Sequence, residues 1–79
     1  MNFNYSINSR STILVFYNGK NLLIHGEATL TPEFFANKDS IKSWEGPESQ
    51  IVTNEEKSEI IEMITKESQK NNNIPVYFE

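Results

Sequence analysis

Seventy-nine residues are enough for one domain and too few for two, because each half would lack the interior needed to outweigh the entropy of ordering its chain. Cysteine is absent and histidine occurs once, at His25, which excludes disulfides, thiolate metal sites and cysteine nucleophiles. Eleven acids against seven bases give a net charge of −4, a sign that argues against direct binding of nucleic acid or anionic lipid.

A secretory signal needs a charged start, an apolar run and a small-residue cleavage site, and the first eight residues offer none of these. The longest purely apolar run, from Ile13 to Tyr17, falls far short of the ~20 residues of a membrane-spanning helix. A soluble, cytoplasmic protein is expected, a single domain over residues 1–79 and a monomer or weak dimer.

In chain order, residues 1–8 alternate, with Met1, Phe3, Tyr5 and Ile7 apolar and Asn2, Asn4, Ser6 and Asn8 polar, the period of a half-buried strand. Residues 12–17 are dense in β-branched and aromatic side chains on both faces, which predicts an interior strand. Asn18-Gly19 follows, the strongest short hairpin signal. A third strand over residues 22–30 places Leu22, Ile24, Gly26, Ala28 and Leu30 on the buried face and Leu23, His25, Glu27 and Thr29 on the other. Thr31-Pro32 ends it, and Phe34 and Phe35 centre a short strand over residues 33–37. Residues 38–52 lose periodicity, with Ile41 and Trp44 as the large apolar residues before Ile51 and a turn at Gly46-Pro47.

Thr53 and Glu56 form a capping box that opens a helix. Its apolar stripe is Ile60, Ile61 and Ile64, flanked by Met63, extended by Thr53 and Ser68, and crossed by a snorkelling Lys57. Asn71-Asn72-Asn73 ends the helix, and alternation of Ile74, Val76 and Phe78 gives a last strand. The expected architecture is α+β: about five mainly antiparallel strands in the order ββββαβ, with one helix packed on one face.

The inventory of chemical groups argues against an enzyme. A serine nucleophile needs a nearby base, and only His25, two residues from Glu27 on one strand face, is available. The plain reading of that pair is a solvent-facing strand position. Glutamates on one convex helix face make a poor two-carboxylate site, and zinc recruits histidine or cysteine. No calcium loop or glycine-rich phosphate cradle occurs, so no metal and no cofactor are expected.

Charge is unevenly spread. Between Glu45 and Glu62 six acids face Lys57 alone, giving −5, more than the whole net charge. Acids early in the helix complement its dipole, which explains part of this and leaves Glu45 and Glu48 on the loop unexplained. The candidate partner-binding residues are therefore Glu45, Glu48, Glu55, Glu59 and Glu62, with Trp44 as an anchor or, alternatively, a core residue.

Three features stand in order along the chain: Asn18-Gly19 and a strand running into Gly26-Glu27; Ser40-Ile41-Lys42-Ser43-Trp44-Glu45-Gly46-Pro47; and a helix opening at Thr53 with Glu56-Lys57 and carrying Ile60-Ile61. Together they resemble the immunity protein 74 family of bacterial polymorphic toxin systems, over nearly the whole chain. The polar Lys38-Asp39 departs from the strand-like approach expected there. The resemblance implies a partner, the toxin domain encoded beside it, and transfers no catalytic residues. Acidic mimicry of a phosphate backbone would suit a basic nuclease toxin. The rival reading is a general interaction or adaptor module, or a small accessory subunit, with no dedicated toxin; the neighbouring reading frame separates the two.

Overall fold

The computed structural model describes residues 2–46, 50–70 and 73–79. Met1, the Pro47 of the expected turn, Glu48, and the first two asparagines of the expected helix stop lie outside the described residues. Strands β1 (Phe3–Ser9), β2 (Thr12–Tyr17), β3 (Lys20–Ala28), β4 (Phe34–Ala36) and β5 (Val76–Phe78) form one sheet in that spatial order. A 3₁₀ turn at Lys38–Ser40 and the helix α1 (Asn54–Ser68) connect β4 to β5. The fold is α+β with the order ββββαβ read from the sequence pattern.

Strands β1 to β4 pair antiparallel with their neighbours, and β5 pairs parallel to β4. A parallel neighbour requires a crossover, and α1 supplies it, so the direction of β5 sets the helix on one face of the sheet. Asn18 and Gly19 take φ of 47° and 83°, the positive values that a tight hairpin needs, and Tyr17 pairs directly with Lys20. The third strand consequently starts at Lys20, two residues before the expected Leu22.

That strand also stops at Ala28 and not at Leu30. The Thr29 N–H donates to the Glu33 carbonyl at 2.8 Å, turning the chain back, and Leu30 is left 94% exposed outside the core it was expected to join. Where β4 meets β3, a Cβ on Gly26 would collide with the Phe35 carbonyl oxygen and lie 2.7 Å from Phe34 Cε1, so only glycine permits this approach. The polar Lys38-Asp39 lies in the 3₁₀ turn, capped by the Asn37 side chain, which accepts the Asp39 N–H at 2.9 Å.

The core lies between α1 and one sheet face. Ile13, Val15 and Tyr17 of β2, Leu22 and Ile24 of β3, Phe34 of β4 and Val76 of β5 meet Ile60 and Ile64 of the helix. Ile41, Trp44 and Val52, from the aperiodic stretch, close one end. The capping box is present: Thr53 Oγ1 accepts the Glu56 N–H at 3.1 Å, and Glu56 Oε1 accepts the Thr53 N–H at 3.0 Å. Thr53 itself is exposed and does not extend the buried stripe, because its hydroxyl is held at the cap. Ser68, at the other end, is buried; its Oγ accepts the Val76 N–H at 3.0 Å and ties the helix end to β5.

Ile64 is fully buried. Ile64→Ala should cost about 2–5 kcal/mol, the usual range for a large-to-small change in a packed core. Leu30→Ala should stay within about 0.5 kcal/mol, as expected for an exposed position. Urea unfolding followed by circular dichroism separates the two, and equal midpoints would contradict the packing described.

Candidate partner-binding surfaces

The acidic residues singled out in the sequence do not form one patch. Glu55, Glu59 and Glu62 recur at i, i+4 and i+7 and so line one side of α1, away from Ile60 and Ile64. Glu55 and Glu62 are exposed, whereas Glu59 is half-buried and accepts the Tyr17 hydroxyl at 3.2 Å. Glu45 lies elsewhere. Its N–H donates to the Asn21 carbonyl at 2.7 Å at the edge of β3, and its side chain lines a cavity of about 320 Å³ with Leu23, His25, Ser40 and Lys42, on the sheet face opposite the helix. Contiguity in sequence is lost because the chain changes faces between Glu45 and Thr53. Glu48 lies outside the described residues.

Trp44 is 3% exposed, too buried to offer its ring to a partner. It stacks on Tyr17 at 5.5 Å between ring centroids, and Lys20 Nζ sits 5.2 Å above the indole. Lys20 also pairs with Glu56 at 3.5 Å. Backbone alternation explains the arrangement: with Glu45 facing the open side of the sheet, Trp44 faces the core. The bond from the Thr53 N–H holds the Glu56 carboxyl below the usual carboxylate range; burial pushes the other way, and Lys20 adds to the lowering. Indole Nε1 is buried without a partner of good hydrogen-bond geometry, although its proximity also lowers the Glu56 carboxyl. The Tyr17 hydroxyl is raised, first by burial and then by the Glu59 charge and the bond to it.

The sheet face away from α1 has no layer over it among the described residues. Leu14 and Phe16 of β2 are 38% and 39% exposed there, and Leu14 pairs across to the half-buried Leu23. Phe35 of β4 stacks on Tyr77 of β5 at 5.6 Å. His25 and Glu27 are exposed on this face. Sequence reasoning missed this surface. Its signal was present in the apolar Leu14 and Phe16 on the second face of β2, set against a single helix to cover a whole sheet.

Among the described residues no three acidic or histidine side chains cluster as metal ligands, and no helix is long and apolar enough to cross a membrane. The family model for immunity protein 74 matches residues 6–79. No curated protein and no solved structure matches the chain.

The lowered carboxyl of Glu56 has a pH signature. A folded-state pKa below the unfolded value means that the ionised group stabilises the fold above about pH 4.3, and that this contribution is lost as pH falls through the folded value. Glu56→Gln keeps a capping acceptor and removes the charge. It should be less stable than the parent at neutral pH by up to about 1 kcal/mol and should match it near about pH 2. Thermal unfolding across that range checks the sign; a constant difference at every pH would assign the loss to packing.

Proposed function

The chain belongs to the immunity protein 74 family, and on that premise we propose that it binds and neutralises a cognate bacterial toxin domain, without catalysis, through the acidic outer face of α1. The observation that carries the reading is the line of Glu55, Glu59 and Glu62 on the side of α1 opposite Ile60 and Ile64, with Glu55 and Glu62 exposed and the half-buried Glu59 between them held by Tyr17. Such a line suits a basic partner, and a nuclease toxin, which must hold phosphate backbones, is the class that fits. Occupying the toxin's basic surface would block it by mimicry of its substrate's charge.

The encounter takes place in the cytoplasm of the producing cell, where speed of capture matters. Fields from clustered charges raise association rates and fall off within about 8 Å at physiological ionic strength. Glu45, on the opposite sheet face, and buried Trp44 lie outside this surface.

Glu55→Gln with Glu62→Gln removes two exposed charges and leaves Glu59 with its bond from Tyr17. The double variant should keep the parent's stability and associate with the toxin domain about three- to tenfold more slowly at low salt, with the two rates converging near about 1 M salt. Equal rates and equal salt slopes would remove the acidic face from the interface. A separate check bears on catalysis: His25→Ala should protect cells from the toxin as well as the parent does, and loss of protection by a folded variant would give His25 a chemical role.

A further inference from the structure

We infer that the toxin is also held by strand addition: an extended segment of it pairs with the outer edge of β1, which no described residue pairs with, and fills the groove between that strand and α1. The inference rests on the toxin-binding reading above and adds the mode of recognition.

Two backbone bonds fix which groups of β1 face outward. The Asn18 N–H donates to the Asn2 carbonyl at 2.8 Å, and on the other side of β2 the Gly26 N–H donates to the Ser11 carbonyl at 2.9 Å. Antiparallel pairs alternate between bonded and non-bonded, so with the register of Asn4 to Phe16 and Ser6 to Leu14, the even residues of β1 bond to β2. The N–H and C=O groups of Phe3, Tyr5 and Ile7 therefore point away from the sheet, over a regular stretch of about 13 Å that ends at the register shift after Ile7.

Edge strands are ordinarily guarded by charge, proline or shortness. The opposite edge, β5, has three residues and follows Pro75. β1 has seven residues and neither charge nor proline among them.

Beside this edge lies a groove of about 920 Å³, at the upper end of the range for ligand sites. Its floor is Phe3, Tyr5 and Ile7, whose side chains face the core side yet are only half-buried, and its wall includes Met63 and Ile74. An added strand would set every second side chain over that floor, so the segment is apolar at alternate positions. Its charge follows from the rim, where among the described residues the charged lining is Lys66 and the Lys70–Glu67 ion pair, net positive on a chain of −4. A neutral or acidic segment fits. A second copy of this chain fits less well, because two-fold pairing of β1 with itself keeps both helices on one side of the extended sheet and brings the two lysine rims together.

The test compares Tyr5→Pro with Tyr5→Ala, and Ile7→Pro with Ile7→Ala, against the purified toxin domain encoded beside this chain. Each alanine removes the side chain; each proline also removes one outward N–H that no strand among the described residues uses. Thermal unfolding selects the pairs that stay folded. The proline variant of such a pair should bind about tenfold more weakly than its alanine partner, the loss expected of one edge hydrogen bond. With the parent protein, the amides of Phe3, Tyr5 and Ile7 should exchange freely alone and become protected when the toxin is added. Binding that leaves those three amides unprotected overturns strand addition and leaves the toxin-binding reading standing; no binding at all overturns both. Protection that grows with the concentration of the chain alone, with a doubling of mass, assigns the groove to a second copy and also overturns the proposal.

Discussion

One helix has to cover a five-stranded sheet, and most of the molecule's features follow from that mismatch. Fifteen helical residues make a rod about 22 Å long and about 10 Å across, while five strands span about 19 Å from the first axis to the last. The rod buries the core-facing residues of the middle strands, as Ile13, Val15, Leu22 and Ile24 record, and leaves the core-side residues of β1 half-covered. Among the described residues no element covers the second face, so Leu14, Phe16 and Tyr77 stay exposed there. A second layer of helices would cover such a face; with none among the described residues, apolar surface stays in contact with water.

The two ends of the helix are fixed by different means. At the start, the capping box satisfies backbone donors, and the same Glu56 reaches Lys20, which lies over Trp44, which stacks on Tyr17, whose hydroxyl returns to Glu59. The circuit joins the cap, the hairpin and the aperiodic stretch, so a change in any one of these side chains is felt by the others. The far end relies on the buried Ser68 hydroxyl and the β5 backbone. That polar bond ties the last strand to the helix, and it explains why a serine sits where the stripe would otherwise call for an aliphatic side chain.

Local signals in the sequence were legible where short-range chemistry decides the structure. Asn18-Gly19, the Thr53 and Glu56 box and the alternation in β1 and β2 each specify their element through neighbouring residues, and all are present. Leu30 was misread because periodicity continues through it while the bond from Thr29 to Glu33 ends the strand earlier. The acidic run, contiguous in sequence, is divided in space for a related reason. Sequence adjacency says nothing about which side of a sheet a residue occupies, and the crossing from Glu45 to α1 puts its acids on opposite sides. The groove beside β1 was invisible because it is made by residues some sixty positions apart, which come together only once the helix is placed.

On the proposed reading the helix carries two charges of opposite use. From its first turn to just past its middle it presents Glu55, Glu59 and Glu62, and its last turn and the residues just after it present Lys66 and Lys70 at the groove. This polarity stabilises the helix in isolation, since acids near the start and bases near the end complement its dipole. The same arrangement would divide recognition into two steps. Long-range attraction to the acidic stretch sets how often a basic domain arrives, because exposed charges act mainly on association. Backbone pairing at β1 acts only at contact and sets how long the complex lasts, since differences in affinity among related complexes lie mostly in dissociation. A toxin family could then diversify the segment that fills the groove while keeping its basic active surface, and specificity for the cognate toxin would reside in the groove, where alternate side chains meet Phe3, Tyr5 and Ile7, and not in the charged face that any basic protein could approach.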